Sequence, residues 1–328
     1  MKNGIYILAN DVVYDQLVAL LNSIEVNAGD LFPVCILPYD DRLDKIRQEI
    51  QTRENVFLFE DQACIDRWET FVREVWETHP IIKDTWRKNG VLEVYRMGMH
   101  RRFCAFEGMF ENFIYLDADI LVLNSLEPIF NQLSQSDCVV YDFQYKDPTH
   151  VYNVGSEKLL ETFTRDRISS EIFCAGLYGS KRGIFSQEDL DRLLKNLSHG
   201  EVELLYSKAP DQTIVNYMMM RSNRSIYNFA LELPADQSTG CCVTSLHFKE
   251  RDHLLYDQGN RLTYLHYIGL ASSLFSQLCA GKTIDFPYQD IFLHYRYLHE
   301  PENRPALTNR FINRILQKLQ LARQGISL

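Results

Sequence analysis

The stretch FIYLDADILVL at residues 113–123 joins two apolar runs through an Asp-x-Asp pair, Asp117 and Asp119. An apolar run of this kind is typical of a strand buried on both faces, as in a parallel sheet. Burying two carboxylates within such a strand would be costly, so we expect them at its carboxyl end. In open α/β sheets, that end forms the crevice where ligands bind. The stretch therefore predicts an α/β fold with a ligand site at the two aspartates.

Two carboxylates one residue apart can share one divalent cation. Oxygen ligands suit hard cations such as Mg²⁺ or Mn²⁺, which bind together with the phosphate oxygens of a substrate. The alternative interpretation is a strand-end turn whose aspartates cap the following helix. Because Asp-x-Asp is a common pattern, the choice between a metal site and a turn depends on the rest of the chain.

The composition fits one large α/β domain with additions, or two small domains. The chain has 328 residues, of which 46% are hydrophobic, and a net charge of −10 at pH 7. The acidic balance argues against nucleic-acid binding, which needs clustered lysines and arginines. None of the eight cysteines forms a CxxC pair, which indicates free thiols in a reducing compartment. The sequence shows neither a signal peptide nor a membrane-spanning run of about 20 apolar residues, so we expect a cytoplasmic protein.

Strand and helix patterns alternate in the first part of the chain, as in a doubly wound sheet. Strands are predicted at residues 4–9, 32–37 and 56–59, and helices at about 12–24, 61–77 and 91–110. The first strand lacks a GxGxxG loop, so a dinucleotide fingerprint is absent. Asp11 could contact a nucleotide or cap the next helix. Arg96, Arg101 and Arg102 could each reach a phosphate, although a solvated helix face is commoner for such residues.

Three further motifs follow in the second half of the chain. The sequence FCAGLYG at residues 173–179 predicts a strand in which Ala-Gly marks the close approach of another group. An Asp-Gln pair at residues 211–212 starts a predicted helix, and HYIG at residues 266–269 follows a predicted hairpin. A lone histidine in a strand is more often a core residue than a ligand. The mixed polar segment 142–170 is predicted to be irregular and to line an acceptor site.

The order of these motifs resembles the retaining nucleotide-sugar glycosyltransferases of the GT-A fold, and glycosyltransferase family 8 in particular. The resemblance runs from the first strand to about Gly269, and its sharpest elements are the DXD motif and the Asp-Gln pair. It implies a Rossmann-like, mostly parallel central sheet with flanking helices and a small antiparallel addition. It also implies a UDP-sugar donor and a Mn²⁺ or Mg²⁺ ion held by Asp117, Asp119 and His266.

The resemblance further implies two sets of site residues. Asp211 and Gln212 would be the catalytic residues facing the sugar and its anomeric carbon. The donor would be bound by the opening segment, one arginine and small residues of the motifs: Ala9, Asp11, Tyr14, Arg96, Ala118, Ala175, Gly176 and Gly269. Two departures stand out. Cys174 replaces an asparagine, and LASS at residues 270–273 replaces a run whose lysine contacts the diphosphate. We therefore expect the phosphate-binding cation elsewhere, at Arg96, Lys249 or Lys282, or from the metal alone.

Together these expectations describe a metal-dependent glycosyltransferase that moves a hexose from a UDP-sugar to an acceptor hydroxyl with retention. The acceptor could be a saccharide, a lipid-linked molecule or a protein. One alternative is a nucleotide-sugar-binding protein of the same fold with little or no turnover. Another is a sugar-phosphate nucleotidyltransferase, although the first strand lacks the glycine-rich basic loop of such enzymes. A phosphatase of the HAD type also uses Asp-x-Asp, but Leu121 stands where that class has Thr or Val.

The same resemblance suggests how the chain is divided. We expect a GT-A catalytic domain at residues 1–270, with a nucleotide-binding half at about 1–123 and a half for the donor sugar and acceptor at about 124–270. A helical extension would follow at residues 271–328. Its last predicted helix, at about 306–324, has an apolar and a basic side. It could make peripheral membrane contact, although packing against the domain is the commoner situation.

Overall fold

The main sheet of the protein is mostly parallel and has seven strands. The structure is a computed structural model, and it describes residues 2–91 and 93–306. The strands of this sheet are β1 (Asn3–Ala9), β2 (Val34–Pro38), β3 (Val56–Leu58), β4 (Asn112–Asp117), β6 (Cys138–Val140), β7 (Leu177–Lys181) and β8 (Ile226–Asn228). Their spatial order is β3-β2-β1-β4-β7-β6-β8, and only β7 runs against its neighbours among these described strands. The predicted fold class is therefore confirmed.

The stretch at residues 113–123 forms two strands with a break at the Asp-x-Asp pair. β4 ends at Asp117, and β5 (Ile120–Val122) leaves the main sheet to pair with β12 (Tyr264–His266). The chain reaches β12 through a small antiparallel sheet made of β9 (Lys249–Arg251), β10 (Leu254–Asp257) and β11 (Asn260–Arg261). The antiparallel additions are thus confirmed, and the register of β5 and β12 sets His266 opposite Ile120.

Helices cover both faces of the main sheet. They are α1 (Tyr14–Asn27), α2 (Asp44–Ile50), α3 (Gln62–Glu77), α4 (Ile82–Lys88), α5 (Glu127–Gln132), α6 (Lys158–Thr162), α7 (Arg165–Glu171), α8 (Gln187–Ser198), α9 (Pro210–Arg221), α10 (Phe229–Glu232), α11 (Ser272–Cys279) and α12 (Gln289–Arg296). In β1, Tyr6 and Leu8 point into one apolar core, and Ile5 and Ile7 point into the other. Both faces are buried, which explains why the strand is apolar throughout rather than alternating.

The helix predicted at residues 91–110 is wrong at both ends and in its type. The structure has a 3-10 helix at Met97–Phe106, and Arg96 before it is left-handed with φ of 54°. Gly98 lies so close to the end of β2 that a Cβ would stand 2.2 Å from the Tyr39 carbonyl oxygen. This close approach fixes the entry of the 3-10 helix. The local pattern at these residues gave no sign of the contact, because it depends on a loop about 60 residues earlier in the chain.

Two other predicted elements need correction. The strand predicted at residues 173–179 begins only at Leu177, and residues 175–176 form a turn before β7. The segment 142–170 is not irregular throughout, because α6 and most of α7 lie within it. Short helices of this size are marginal by themselves, and packing against the body of the protein stabilises them.

The chain after β12 packs back on the first helix. Asn22 of α1 donates to the Tyr295 carbonyl of α12 at 2.8 Å, and Arg296 pairs with Asp15 at 2.8 Å. Apart from residue 306, the amphipathic helix predicted at about 306–324 lies outside the described residues. Among the described helices, none combines the length and apolar character needed to cross a bilayer. The division of the chain at residue 270 stays a prediction.

Candidate functional site

A cavity of about 330 Å³ opens at the carboxyl edge of the main sheet, beside the Asp-x-Asp turn. Parallel strands deliver their ends to one edge, so side chains far apart in the sequence meet there. The cavity is lined from the ends of β1, β2 and β4, from the segment at residues 12–16, from the 3-10 helix and from the start of α11. The lining residues are Leu8, Ala9, Asn10, Val12, Val13, Gln16, Tyr39, Arg42, Arg96, Met99, Asp117, Ala118, Asp119 and Ser272. Five predicted donor and metal positions therefore border one cavity: residues 9, 96 and 117–119.

The structure brings Asp117, Asp119 and His266 together. One potential ligand atom from each lies within 4.8 Å of the others, and Asp119 Oδ1 is 3.2 Å from His266 Nε2. The pairing of β5 with β12 and a bond from the Tyr267 amide to the Asp119 carbonyl, at 2.9 Å, hold this geometry. Two carboxylates and one imidazole form a donor set that suits Mn²⁺ or Mg²⁺. The residues present therefore fit the metal that the resemblance implies.

The ion pair between Asp119 and His266 controls the charge of both side chains. Burial is the largest single influence on each group and disfavours its charged form, but the partner's charge and the hydrogen bonds together outweigh it. The Asp119 carboxylate raises the pKa of His266 well above its ordinary value, although burial acts to lower it. The His266 imidazolium in turn lowers the pKa of Asp119 against the effect of burial. A cation bound between them would replace the proton on the imidazole, because a metal ligand must be the neutral ring.

Arg102 connects the metal-site carboxylate to the Asp-Gln motif. Its side chain is only 1% exposed, and Nη2 lies 3.0 Å from both Asp117 Oδ1 and Asp211 Oδ2. Nη1 donates to the Ala175 carbonyl at 2.8 Å, and the guanidinium lies 4.6 Å from the centre of the Tyr115 ring. A solvated helix face, the commoner explanation for most of these arginines, does not apply to Arg102. The signal that could have found it is the cluster of acidic motifs, which requires a buried cation to offset it.

Electrostatics agree with this central position of Arg102. Burial disfavours the guanidinium charge, but the carboxylates of Asp117 and Asp211 outweigh it and raise the pKa of Arg102. Burial also acts to raise the pKa of Asp211, yet the Arg102 guanidinium lowers it below the ordinary value. Asp211 is therefore a carboxylate at neutral pH although it is almost fully buried.

The start of α9 holds the turn that precedes β7. Gln212 accepts from the Ala175 amide at 3.0 Å and donates to the His150 carbonyl at 2.8 Å. One turn later, fully buried Asn216 exchanges two hydrogen bonds of 2.9 Å with the Phe173 backbone. An amide side chain can both donate and accept, so it replaces a strand partner for this segment. The sequence did not predict a role for Asn216.

The turn held by α9 lies against the metal-site histidine. A Cβ on Gly176 would stand 2.4 Å from His266 Cε1, so the close approach predicted for Ala-Gly is made by this ring. Cys174 Sγ lies 4.0 Å from His266 Nδ1. The Asp142 carboxyl accepts from the Cys174 amide at 3.2 Å and the Gln144 amide at 2.7 Å. Burial raises the pKa of Asp142 to about 7 despite these two donors.

Other predicted donor-binding residues lie away from the cavity lining. Asp11 accepts from the Lys45 and Ile46 amides at 3.1 Å, so it caps α2 rather than the helix that follows it in the chain. The Tyr14 hydroxyl donates to Glu49 at 2.7 Å. Gly269 has φ of 83° and open space where a side chain would be. Lys249 and Lys282 are exposed and do not line the cavity. The nucleotide roles of these residues stay predictions.

Comparisons with known proteins give similarity in structure and none in sequence. No protein-family model matches the chain, and no curated protein matches it. Among solved structures, the apo bifunctional glycosyltransferase WbbM aligns with a TM-score of 0.55 and 14% identity, over 93% of this chain and 52% of the other. The galactosyltransferase LgtC, in complex with donor and acceptor sugar analogs, aligns with a TM-score of 0.50 and 14% identity, over 86% of this chain and 97% of the other.

An active-site mutant of LgtC gives the same picture, with a TM-score of 0.50 and 13% identity. The chain thus spans about half the length of the WbbM chain and nearly the whole length of LgtC. At this level of identity, the likeness concerns the fold. The protein has the GT-A fold of nucleotide-sugar glycosyltransferases.

Proposed function

We propose that the protein is a metal-dependent glycosyltransferase that moves a hexose from a UDP-sugar to an acceptor hydroxyl with retention. The observation that carries the proposal is the convergence of Asp117, Asp119 and His266, with ligand atoms within 4.8 Å, beside the cavity at the edge of the sheet. The similarity to LgtC, a galactosyltransferase bound to donor and acceptor sugar analogs, supports it. A fold by itself does not define a reaction, so the proposal depends on the site.

The metal would be Mn²⁺ or Mg²⁺, held by Asp117, Asp119 and His266. Bound there, it would neutralise the charge that develops on the leaving diphosphate, as a Lewis acid. The aspartates would be fixed as ligands and therefore unsuited to act as general bases. In a same-face transfer, the leaving phosphate can itself accept the proton of the acceptor hydroxyl. No separate base is then required from the protein.

The nucleotide would occupy the cavity beside Ala9 and Ala118, where small side chains leave room for a ligand. Arg96 lines the same cavity next to the aspartates and is well situated to bind a phosphate. It is our candidate for the cation that replaces the lysine expected after Gly269. Arginine suits this task, because its planar guanidinium can donate two parallel hydrogen bonds to phosphate oxygens.

The donor sugar would bind at the start of α9. Asp211 uses one carboxylate oxygen to pair with Arg102, which leaves the other oxygen to orient a sugar hydroxyl. Gln212 uses one acceptor and one donor position on the protein backbone. An amide has a second N–H and a second lone pair, which remain for the sugar as positive charge develops at the anomeric carbon. Because these groups are already oriented, they can stabilise the transition state without reorganising.

The acceptor would approach from the side of segment 142–170, whose His150 carbonyl is bonded to Gln212. It would then lie next to the same amide that faces the donor sugar. A saccharide, a lipid-linked molecule and a protein are the classes of acceptor to test. We also propose a cytoplasmic location, tested by localisation, and peripheral membrane contact of the helix predicted at about 306–324, tested by vesicle binding.

The decisive experiment compares nucleotide-sugar turnover in the wild type, Asp119→Asn and Asp137→Asn. Asp119→Asn keeps the side-chain volume and removes a metal ligand, so we expect turnover to fall by about 10³ or more. Asp137 is the matched control, because its side chain is similarly exposed but lies before β6, at the opposite edge of the sheet. Thermal-shift screening of UDP-sugars with and without Mn²⁺ would first identify the donor.

The outcomes separate the proposal from its alternatives. Undiminished turnover in Asp119→Asn would contradict the proposed metal site. Metal-dependent binding of UDP, without hydrolysis or transfer of any sugar, would favour a nucleotide-sugar-binding protein. Release of pyrophosphate from UTP and a sugar phosphate would instead favour a nucleotidyltransferase.

A further inference from the structure

Two adjacent cysteines lie beside the metal-site histidine. The sulfur atoms of Cys241 and Cys242 are 3.7 Å apart. Cys241 is buried and Cys242 is partly exposed. A small reagent can therefore reach Cys242, whereas Cys241 is shielded from solvent. Neither cysteine has a part in the proposed transfer reaction. Their arrangement combines an accessible thiol with a second thiol in contact, which is what intramolecular disulfide formation requires.

The backbone of this cysteine pair is bonded directly to His266. The His266 amide donates to the Cys241 carbonyl at 2.7 Å, and the Val243 amide donates to the His266 carbonyl at 2.9 Å. These bonds form an isolated parallel bridge between Cys242 and His266. His266 is therefore held on one side by β5 and on the other by the cysteine pair. A change in the backbone at residues 241–242 must act on the position of the histidine.

We propose that Cys241 and Cys242 are a redox-modification site whose oxidation loosens His266. The oxidant is a hydroperoxide. The Cys242 thiolate attacks the peroxide, the O–O bond breaks, and a sulfenic acid forms while the leaving oxygen departs as water or an alcohol. The Cys241 sulfur then attacks the Cys242 sulfur and expels water. Overall, two thiols lose two electrons and two protons, and one S–S bond forms.

Ring closure must move the backbone because the reduced geometry does not fit a disulfide. The sulfurs must come from 3.7 Å to about 2.05 Å, with a torsion near 90° about the new bond. Adjacent Cα atoms are about 3.8 Å apart across a trans peptide, below the range of about 4.4–6.8 Å that is usual in disulfides, so closure strains the peptide between the two cysteines. The Cys241 carbonyl belongs to that peptide and accepts the His266 amide. Oxidation therefore breaks or weakens the bond that aligns the histidine.

The other described thiols do not offer the same site. Cys64 and Cys104 contact each other, but both are buried in the core. Cys174 is partly exposed, and the contact that defines its position is with the His266 ring at 4.0 Å. Cys279 is partly exposed in α11, away from the pair, which makes it a suitable control.

The experiment treats the full-length protein with a small excess of hydrogen peroxide, followed by removal of peroxide. We expect intact mass to fall by two hydrogens, and fragmentation to assign the loss to the peptide containing residues 241–242. Hydrogen exchange of the His266 amide should accelerate by about 10-fold, since a hydrogen bond of ordinary strength is lost. Dithiothreitol should reverse both changes. Cys242→Ser should show neither, and Cys279→Ser should show both.

One readout rests on the proposed function. If the reduced protein binds Mn²⁺, we expect the oxidised protein to bind it several-fold more weakly, as measured by the free Mn²⁺ signal in electron paramagnetic resonance. A reduced protein that does not bind Mn²⁺ would count against the proposed function, and the exchange of the His266 amide would still decide the redox proposal. Failure to form the 241–242 disulfide, or its formation without faster exchange at His266, would overturn the redox proposal.

Discussion

The two walls of the candidate site are built in different ways. The sugar-side wall consists of Arg102, Asp142, Asp211, Gln212 and Asn216, and each of these side chains is bonded to other parts of the chain. The nucleotide-side wall borders the cavity with apolar side chains such as Val12, Val13 and Met99 and with Arg96. Its polar side chains Asn10 and Arg42 are bonded to Asp40, but the pair of Arg42 and Asp40 is far more exposed than the network of the sugar-side wall.

This difference suggests that the walls perform different tasks. On the sugar side, buried hydrogen bonds and ion pairs fix dipoles and charges before a ligand arrives, as stabilisation of a transition state requires. On the nucleotide side, we expect binding to depend on the shape of the cavity and on one cation rather than on a fixed network of buried bonds. Changes in the sugar-side wall should therefore affect stability and rate, whereas changes in the nucleotide-side wall should affect affinity.

The largest effect is expected from Arg102→Met, which removes the cation between Asp117 and Asp211. Both carboxylates would remain in a buried region without their partner. Breaking a buried ion pair by removing one member typically costs about 3–5 kcal/mol, so we expect a loss of this size in the free energy of unfolding. Urea denaturation would measure it.

Arg101→Met is the control for that experiment. Arg101 is the preceding residue of the same 3-10 helix, but it is more exposed and pairs with Glu69 at 2.8 Å. Glu69 also pairs with Arg73 at 3.0 Å, so this variant leaves no carboxylate without a partner and should lose less stability than Arg102→Met. Equal losses in the two variants would contradict a special role for the network around Arg102.

The second effect is expected from Gln212→Ala, which removes two hydrogen bonds to the backbone and the amide that we propose to face the sugar. Loss of one oriented donor typically reduces rate by about 10²–10³, and we expect kcat to fall by that factor. The loss should be smaller than in Asp119→Asn, because the metal ligands are unchanged. Steady-state kinetics together with Mn²⁺ titration would check this order. A larger loss in Gln212→Ala would mean that the amide has a further role.

The sequence predicted the parts of this architecture that depend on neighbouring residues. The apolar runs of β1, β2 and β4 are buried in the structure, as the predicted strands required. These features depend on the pattern of a few neighbouring residues. The break at the Asp-x-Asp pair was also predicted, because two carboxylates within a buried strand would be too costly.

The sequence did not predict features that depend on distant pairing. β5 joins β12 more than 140 residues later, and this register brings His266 to the aspartates. The histidine entered the site only through the resemblance, since a lone histidine carries no pattern of its own. Arg102 was missed because its partners are at positions 117 and 211, and nothing in its local sequence distinguishes it from Arg101. Whether a charged side chain is buried depends on how the edge of the sheet is assembled, which the local sequence does not show.

A smaller effect is expected on the nucleotide side from Arg96→Asn. Arg96 is left-handed, and asparagine tolerates this conformation, so the variant removes the charge without backbone strain. We expect the donor KM to rise by about 10-fold with little change in kcat, as when binding common to substrate and transition state is lost. Lys282→Gln, at an exposed lysine outside the cavity, should leave KM unchanged. The opposite result would assign phosphate binding to Lys282.

The smallest effect concerns Asp142, the sugar-side residue whose pKa burial raises to about 7. Because this value lies above the ordinary pKa of about 3.9, the unfolded chain releases the proton at a lower pH than the folded protein. The stability contributed by the protonated carboxyl is therefore complete below about pH 4 and is lost as the pH rises through 7. Asp142→Asn resembles the neutral carboxyl and does not titrate. The stability of the wild type relative to this variant should fall by about 1 kcal/mol between about pH 6 and pH 7.

Urea denaturation of both proteins across this range would measure the difference, and titrations shared by the two proteins cancel. Asp137→Asn is the control, because hydrogen bonds from Ser225 outweigh the effect of burial and lower the pKa of Asp137. Its difference from the wild type should stay constant across the same range. A constant difference for Asp142→Asn as well would mean that the carboxyl is ionised throughout. In that case the sugar-side wall carries the negative charge of Asp142 next to Cys174, although burial disfavours that charge.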